Sequence, residues 1–134
     1  SFVFQTANAE VTFTYVYDKG NDTVLSLTTK SVLKLANIPE YDAITRKNRD
    51  EIVNEMKDIE GIKVTTSDSE KELNFTVEVD LKKFKLDNPE SRAKAPELYR
   101  TMDVALIKKD DKISFSASKE SLESKGFVEQ KEEK

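Results

Sequence analysis

The chain of 134 residues contains no cysteine and no histidine. Without cysteine there are no disulfides and no thiolate metal ligands, and the fold is indifferent to the redox state of its compartment. Without histidine the commonest general base and the commonest transition-metal ligand are missing, together with every Ser/His or Cys/His nucleophile pairing. Scattered carboxylates remain, and hard oxygen ligands alone select poorly for zinc or copper, so no metal and no cofactor is expected. Glycine is scarce: none of Gly20, Gly61 and Gly126 has a second glycine near enough to build a phosphate cradle, which leaves nucleotide binding unsupported. No run of about 18 apolar residues occurs, so no segment is expected to span a bilayer. The first ten residues lack the basic start and apolar stretch of a signal peptide, and a targeting segment is expected to have been removed or never to have existed.

What is present describes one well-solvated domain. The length allows a single core. Apolar residues make up 37% of the chain and charged residues 36%, enough for that core and for a very soluble surface. The net charge of -4 comes from 22 basic and 26 acidic residues scattered along the whole length, so no basic stripe is set up to neutralise phosphates and nucleic acid is not an expected partner.

Period-two alternation dominates. Phe2 and Phe4 alternate with polar neighbours, residues 7–9 offer a turn, and Val11, Phe13, Tyr15 and Tyr17 alternate with Glu10, Thr12 and Thr14, which predicts a first hairpin. Turn formers crowd residues 18–22, and residues 23–35 resume the alternation with Leu25, Leu27, Leu33 and Leu35 on one face, so a second hairpin follows directly. Pro39 ends this strand region. Asp42 or Thr45 is placed to cap a helix on which Ile52, Met56 and Ile59 share a face, with Gly61 suited to the left-handed residue past its end. The opposite face, carrying Lys47, Asp50, Glu51, Asn54, Glu55 and Asp58, is predicted to be wet. Residues 62–67 and 72–81 form a third pair, in which Leu73, Phe75, Val77, Val79 and Leu81 alternate without a break with polar residues. Asn88 then Pro89, and Ala95 then Pro96, are cap and first-turn pairs for two short helices anchored by Leu98, Tyr99 and Met102. Residues 104–107 and 113–115 flank a turn at 109–112 as a last hairpin, and Ser118 is placed to cap a short helix that stops at Gly126. Hairpins outnumber crossovers, so the fold class is α+β: a mainly antiparallel sheet built from hairpins, with helices packed on one face. A single domain over residues 2–128 is followed by a charged, disordered tail over 129–134.

Few residues offer chemistry. The loop with Asp18, Asn21 and Asp22 lacks the alternating oxygens, central glycine and closing Glu of an EF-hand, and turn chemistry alone explains it. Glu78 and Asp80 lie on one strand face about 7 Å apart, a spacing open to acid/base work, but an outer polar face opposite Phe75 and Val77 explains them better, since nothing near them suggests a pocket. Lys82, Lys83 and Lys85, joined by Lys30 and Lys34 across the sheet, could meet anionic lipid or wall polymer, while lysines so placed also blunt a sheet edge. Tyr15, Tyr17, Tyr41 and Tyr99 are the candidate ligand-binding residues, since a ring offers area and a hydroxyl offers direction. Core or rim packing is the competing explanation, because Tyr15 and Tyr17 continue the apolar face of Val11 and Phe13.

Several runs together resemble one family. They are Phe13-Thr14-Tyr15-Val16-Tyr17 followed by a short loop and Asp22-Thr23-Val24-Leu25; Lys57-Asp58-Ile59-Glu60-Gly61-Ile62 at a helix end; Thr76-Val77-Glu78-Val79-Asp80; and Leu122-Glu123-Ser124-Lys125-Gly126-Phe127. On these the chain resembles the YehR-like family of bacterial putative lipoproteins, whose function is uncharacterised. The resemblance covers most of residues 2–84 and 113–127, leaving 87–112 as an elaboration of this protein. It implies a mixed α and β domain on the outer face of a bacterial membrane, held by a lipid on a Cys that would precede Ser1. The family offers no catalytic or ligand-binding residues to carry over.

The expected function is therefore that of a non-catalytic, lipid-anchored domain of the cell envelope, a monomer that binds an envelope protein or a small ligand. A small-ligand carrier with a groove between sheet and helix, lidded by residues 87–102, is the alternative, and a carboxylate-based hydrolase is the remaining one.

Overall fold

The computed structural model describes residues 1–130. Three hairpins follow one another: β1 (Phe2–Gln5) with β2 (Ala9–Asp18), β2 with β3 (Thr23–Lys34), and, after helix α1 (Asp42–Met56), β4 (Ile62–Asp68) with β5 (Glu72–Asp80). Helices α2 (Pro89–Lys94) and α3 (Pro96–Ala105) come next, then the short hairpin of β6 (Ile107–Lys109) and β7 (Lys112–Ser114), helix α4 (Phe115–Ser124) and β8 (Val128–Glu129). The main path through the sheet is β4-β5-β3-β2-β1-β8, with β7 joined to the start of β3 through Thr23 and Ser114. Every pairing is antiparallel, and the fold is α+β as expected.

Alternation along the strands assigns each face. Phe13, Thr29, Val77 and Val64 stand abreast on four neighbouring strands, and Tyr15, Leu27, Val79 and Ile62 form the next row. This face packs on the helices. The other face carries Thr12, Lys30, Thr76 and Thr65, then Thr14, Thr28, Glu78 and Lys63, and lies open to solvent. Leu25 leaves the expected apolar face: Val16 pairs with Ser26 but Tyr17 with Val24, so Leu25 is the extra residue of a β-bulge and is exposed while Leu27 is buried.

The helical layer supplies the other half of the core through Met56, Leu98, Tyr99, Met102, Ala105, Leu106 and Leu122, all buried against Phe2, Phe13, Leu27 and Val77. Asn88 accepts from the Ser91 N–H at 3.1 Å, and prolines open α2 and α3, as the cap pairs predict. Several boundaries differ from expectation. Val104 belongs to α3, whose buried Met102 and Ala105 extend the helical spacing, so the last hairpin starts only at Ile107. The cap of α4 is Ser114, which accepts from the Ala117 N–H at 3.1 Å; Ser118 lies buried inside the helix and accepts from the Ile107 N–H at 2.9 Å. Neither Asp42 nor Thr45 caps α1, although Asp42 sits in its first turn and pairs with Arg46 at 2.6 Å. Of the expected tail, Glu129 lies in β8 and the Gln130 N–H bonds to the Ser1 carbonyl; its remaining residues, 131–134, lie outside the described residues.

Gly61 has the expected positive φ of 87°, but α1 ends five residues earlier, and the reason for glycine is proximity. A Cβ there would stand 2.5 Å from the backbone nitrogen of Phe84.

The face of α1 predicted to be wet has one exception in Glu55, and Arg49 beside that face is buried. One oxygen of Glu55 is buried without a hydrogen-bond partner among the described residues. Arg49 is 6% exposed and grips Asp68 with both terminal nitrogens, at 2.7 and 2.5 Å, while its Nε donates to Asp50 at 3.0 Å. Arg46 donates to the Ser69 carbonyl at 3.1 Å, so two arginines of α1 hold the turn between β4 and β5. A buried guanidinium deprived of its carboxylate costs about 3 kcal/mol, which makes this bond a fixed spacer between helix and sheet.

Candidate functional site

Over the middle of the sheet the helical layer does not close. A groove of about 450 Å³ opens there, floored by Phe13, Thr29, Ser31, Phe75 and Val77, with Ile52 and Met56 of α1 on one side and Leu98 and Met102 of α3 on the other. Phe127 closes part of it, its ring 5.0 Å from Phe13 and 5.4 Å from Phe4. A second cavity of about 250 Å³ shares Val11, Ser31, Ile52 and Phe75 with the first and continues to Leu33 and Arg49. The size and apolar lining suit a small organic ligand.

Sequence reasoning missed the floor. Thr29 and Ser31 are in phase with Leu27 and Leu33, so the strand points small polar side chains toward the helices where a full core needs large apolar ones. That in-phase interruption was the available signal. Thr29 is only 5% exposed, yet its hydroxyl makes no hydrogen bond among the described residues and is not sealed from the cavity. The rim carries Glu97, Arg100 and Lys125. Arg100 pairs with Glu97 at 3.0 Å, and Lys125 has no ion-pair partner among the described residues.

None of the four candidate tyrosines lines this groove, and they do not converge. Tyr15 is buried and donates to the Ala105 carbonyl at 2.5 Å; burial pushes its phenol well above the usual tyrosine range. Tyr17 stacks on Phe115 with ring centres 3.6 Å apart, and Tyr15 meets the same ring edge-on at 5.5 Å. Tyr99 donates to the Lys85 carbonyl at 2.8 Å beneath the Arg92 guanidinium, and burial raises its phenol too. Tyr41 stands exposed before α1. The expected lid is also different: Arg92 binds Asp103 with two nitrogens, at 3.0 and 2.8 Å, and donates to the Leu86 carbonyl, so residues 87–102 are pinned as a wall.

The other candidates take ordinary positions. Asp18 accepts from the Gly20 N–H and the Asn21 amide, both at 2.9 Å. Asp22 does more than turn the chain. With φ of 52° it accepts from the Ser114 hydroxyl at 2.6 Å and from the Ser116 hydroxyl and N–H at 2.7 and 2.9 Å, tying the β2–β3 turn to the start of α4. The Lys112 ammonium donates to the neighbouring Asn21 carbonyl. Glu78 and Asp80 lie on the open sheet face, where Asp80 accepts from the Lys82 N–H at 2.9 Å and Glu78 lies 4.0 Å from Lys63. They border a depression of about 540 Å³ that is more open to solvent than the groove, so no secluded acid pair forms. Lys30 and Lys34 sit on β3, and Lys82, Lys83 and Lys85 follow β5; both are inner strands, so these lysines blunt no edge. Lys34 and Lys82 lie toward opposite ends of the sheet, because β3 and β5 run antiparallel with Lys34 opposite Glu72 and Ser26 opposite Asp80.

A family model described as a protein of unknown function, DUF1307, matches residues 1–128. The stretch 87–112 falls within that range, so it is part of the family's domain and not an elaboration of this protein. The solved structure of E. coli YehR has a TM-score of 0.68 at 19% identity, covering 94% of this chain and 85% of that one. The structure of a protein from Streptococcus pneumoniae TIGR4 has a TM-score of 0.60 at 17% identity, covering 96% and 82%. At these identities the likeness is one of fold. No curated protein matches the chain.

Three carboxylates give a pH signature. Asp22 is held below the usual carboxylate range by the Ser114 and Ser116 hydrogen bonds, Asp68 by Arg49 and Asp103 by Arg92. Each folded value lies under the unfolded one, so the stabilisation is complete above about pH 4 and is lost as the pH falls through the folded values. In urea unfolding the midpoint is expected to hold level from about pH 7 to about pH 5 and to drop below about pH 4. Asp22→Asn lowers it at neutral pH and flattens the drop, whereas curves that stay parallel would free Asp22 of this role.

Proposed function

The chain belongs to the DUF1307 family of proteins of unknown function, and from that premise we propose that it is a non-catalytic binding domain of the bacterial cell envelope. It acts as a monomer, tethered by a lipid on a Cys preceding Ser1, and takes a small ligand in the groove between the sheet, α1 and α3. The observation that carries the binding role is the open apolar groove itself, set over the central strands where a closed core would otherwise stand.

The chemistry around the groove supports binding over turnover. Its titratable rim groups are an ion pair and a lysine, and no nucleophile stands beside a base there among the described residues. The envelope location is supported by the resemblance to lipoproteins, and no helix among the described residues is long and apolar enough to cross a membrane, so the lipid would do all the anchoring.

Each half has its own test. In a thermal-shift screen of apolar metabolites, a ligand of the groove raises the melting temperature by mass action, and Ser31→Phe, which fills the floor shared by both cavities, removes the shift while the protein stays folded. Shifts that survive in that variant, or a screen without any stabilising compound, would sink the groove reading. For the location, cells expressing the full precursor are fractionated with its lipid-bearing Cys intact or changed to Ser. The intact form is expected in the membrane fraction and the variant outside it; both forms in the cytosol would contradict the envelope reading.

A further inference from the structure

The groove is selective in shape and charge as well as apolar, and a ligand class follows if the binding role just proposed holds. We propose that its ligand is a free medium-chain fatty acid, with the acyl chain along β3 and the carboxylate held near Thr29, Arg100 and Lys125.

Shape is the first observation. The floor continues from Thr29 past Ser31 to Leu33, roughly 13 Å by strand rise, because the smaller cavity extends the larger one in the strand direction. A compact ligand would fill only the larger cavity; a linear chain fills both. Methionines and aromatic rings line the larger cavity, and such side chains adapt to a flexible chain.

Charge and hydrogen bonding mark the head. The rim brings two cations against one carboxylate, and Glu97 is already neutralised by Arg100 at 3.0 Å. Lys125 is left over among the described residues. Thr29 is the independent sign of a polar ligand atom: it is 5% exposed, lines the groove and has a hydroxyl without a protein partner among the described residues. A neutral hydrocarbon would leave that donor unused, whereas a carboxylate accepts from it while the one surplus positive charge of the rim matches its own.

Dodecanoate and its methyl ester separate the class from the groove. Each is titrated into the full chain below its micelle concentration, followed by calorimetry and by amide shifts in two-dimensional NMR. One dodecanoate is expected per chain, with shifts concentrated at Thr29, Ser31, Phe75 and Met102, and the ester is expected to bind roughly tenfold more weakly. Lys125→Glu, an exposed change, brings the acid down to the level of the ester, and Thr29→Val weakens both because the ester keeps a carbonyl acceptor. Equal binding of acid and ester in the groove would overturn the fatty-acid assignment and leave the groove reading standing. Shifts absent from the groove for both probes would overturn the two together.

Discussion

The register of β3 is the constraint on which the structure depends. This strand of 12 residues is hydrogen-bonded to β2 along one side and to β5 along most of the other, so it sets which side chains of three strands face the helices. A slip of one residue would turn Leu27 and Leu33 outward and bring Lys30 and Lys34 into the core, an exchange no compensating contact could offset. The bulge at Leu25 absorbs one extra residue near the β2–β3 turn and leaves the rest of the register intact.

That same register opens the groove. Because Thr29 and Ser31 fall on the helix-facing side, the layer above them is short of apolar volume, and a soft packing of helices would collapse to close the gap. Charged clamps oppose the collapse. Arg49 with Asp68 sets α1 against β4, Arg92 with Asp103 locks α2 to α3, and Asp22 with Ser114 and Ser116 anchors α4. Each is geometrically specific, with a forked guanidinium or a carboxylate accepting several donors, and together they frame an opening that packing alone would not preserve.

Much of this fold is legible in the sequence because alternation is a strong local signal. The strand pairs, the α1 core positions at Ile52 and Met56, and the helix starts at Pro89 and Pro96 follow from spacing and cap chemistry. What escapes is decided by residues far apart in the chain. Ser118 has the look of a cap, but its place is taken by Ser114 because β7 runs directly into α4 and the buried hydroxyl serves Ile107 instead. Asp22 reads as a turn former until α4 arrives 92 residues later to meet it. The tyrosines were attractive for their chemistry, yet Tyr15 and Tyr99 spend their hydroxyls on the Ala105 and Lys85 carbonyls. The groove floor was readable in principle, as two small polar residues in phase with leucines, but turning that interruption into a cavity requires knowing where α1 and α3 sit.

One strand's pattern thus produces a framed, apolar opening in a domain whose fold recurs in E. coli YehR at 19% identity. The opening is an accessible binding space and not a gap that closes in solution. Xenon tests this directly, since it enters dry apolar cavities without needing any polar contact. Under xenon pressure, amide and methyl shifts are predicted to saturate at Phe13, Thr29, Ser31, Met56 and Met102 and to leave the open sheet face unchanged. Shifts that rise without saturation and spread over the whole surface would contradict the account.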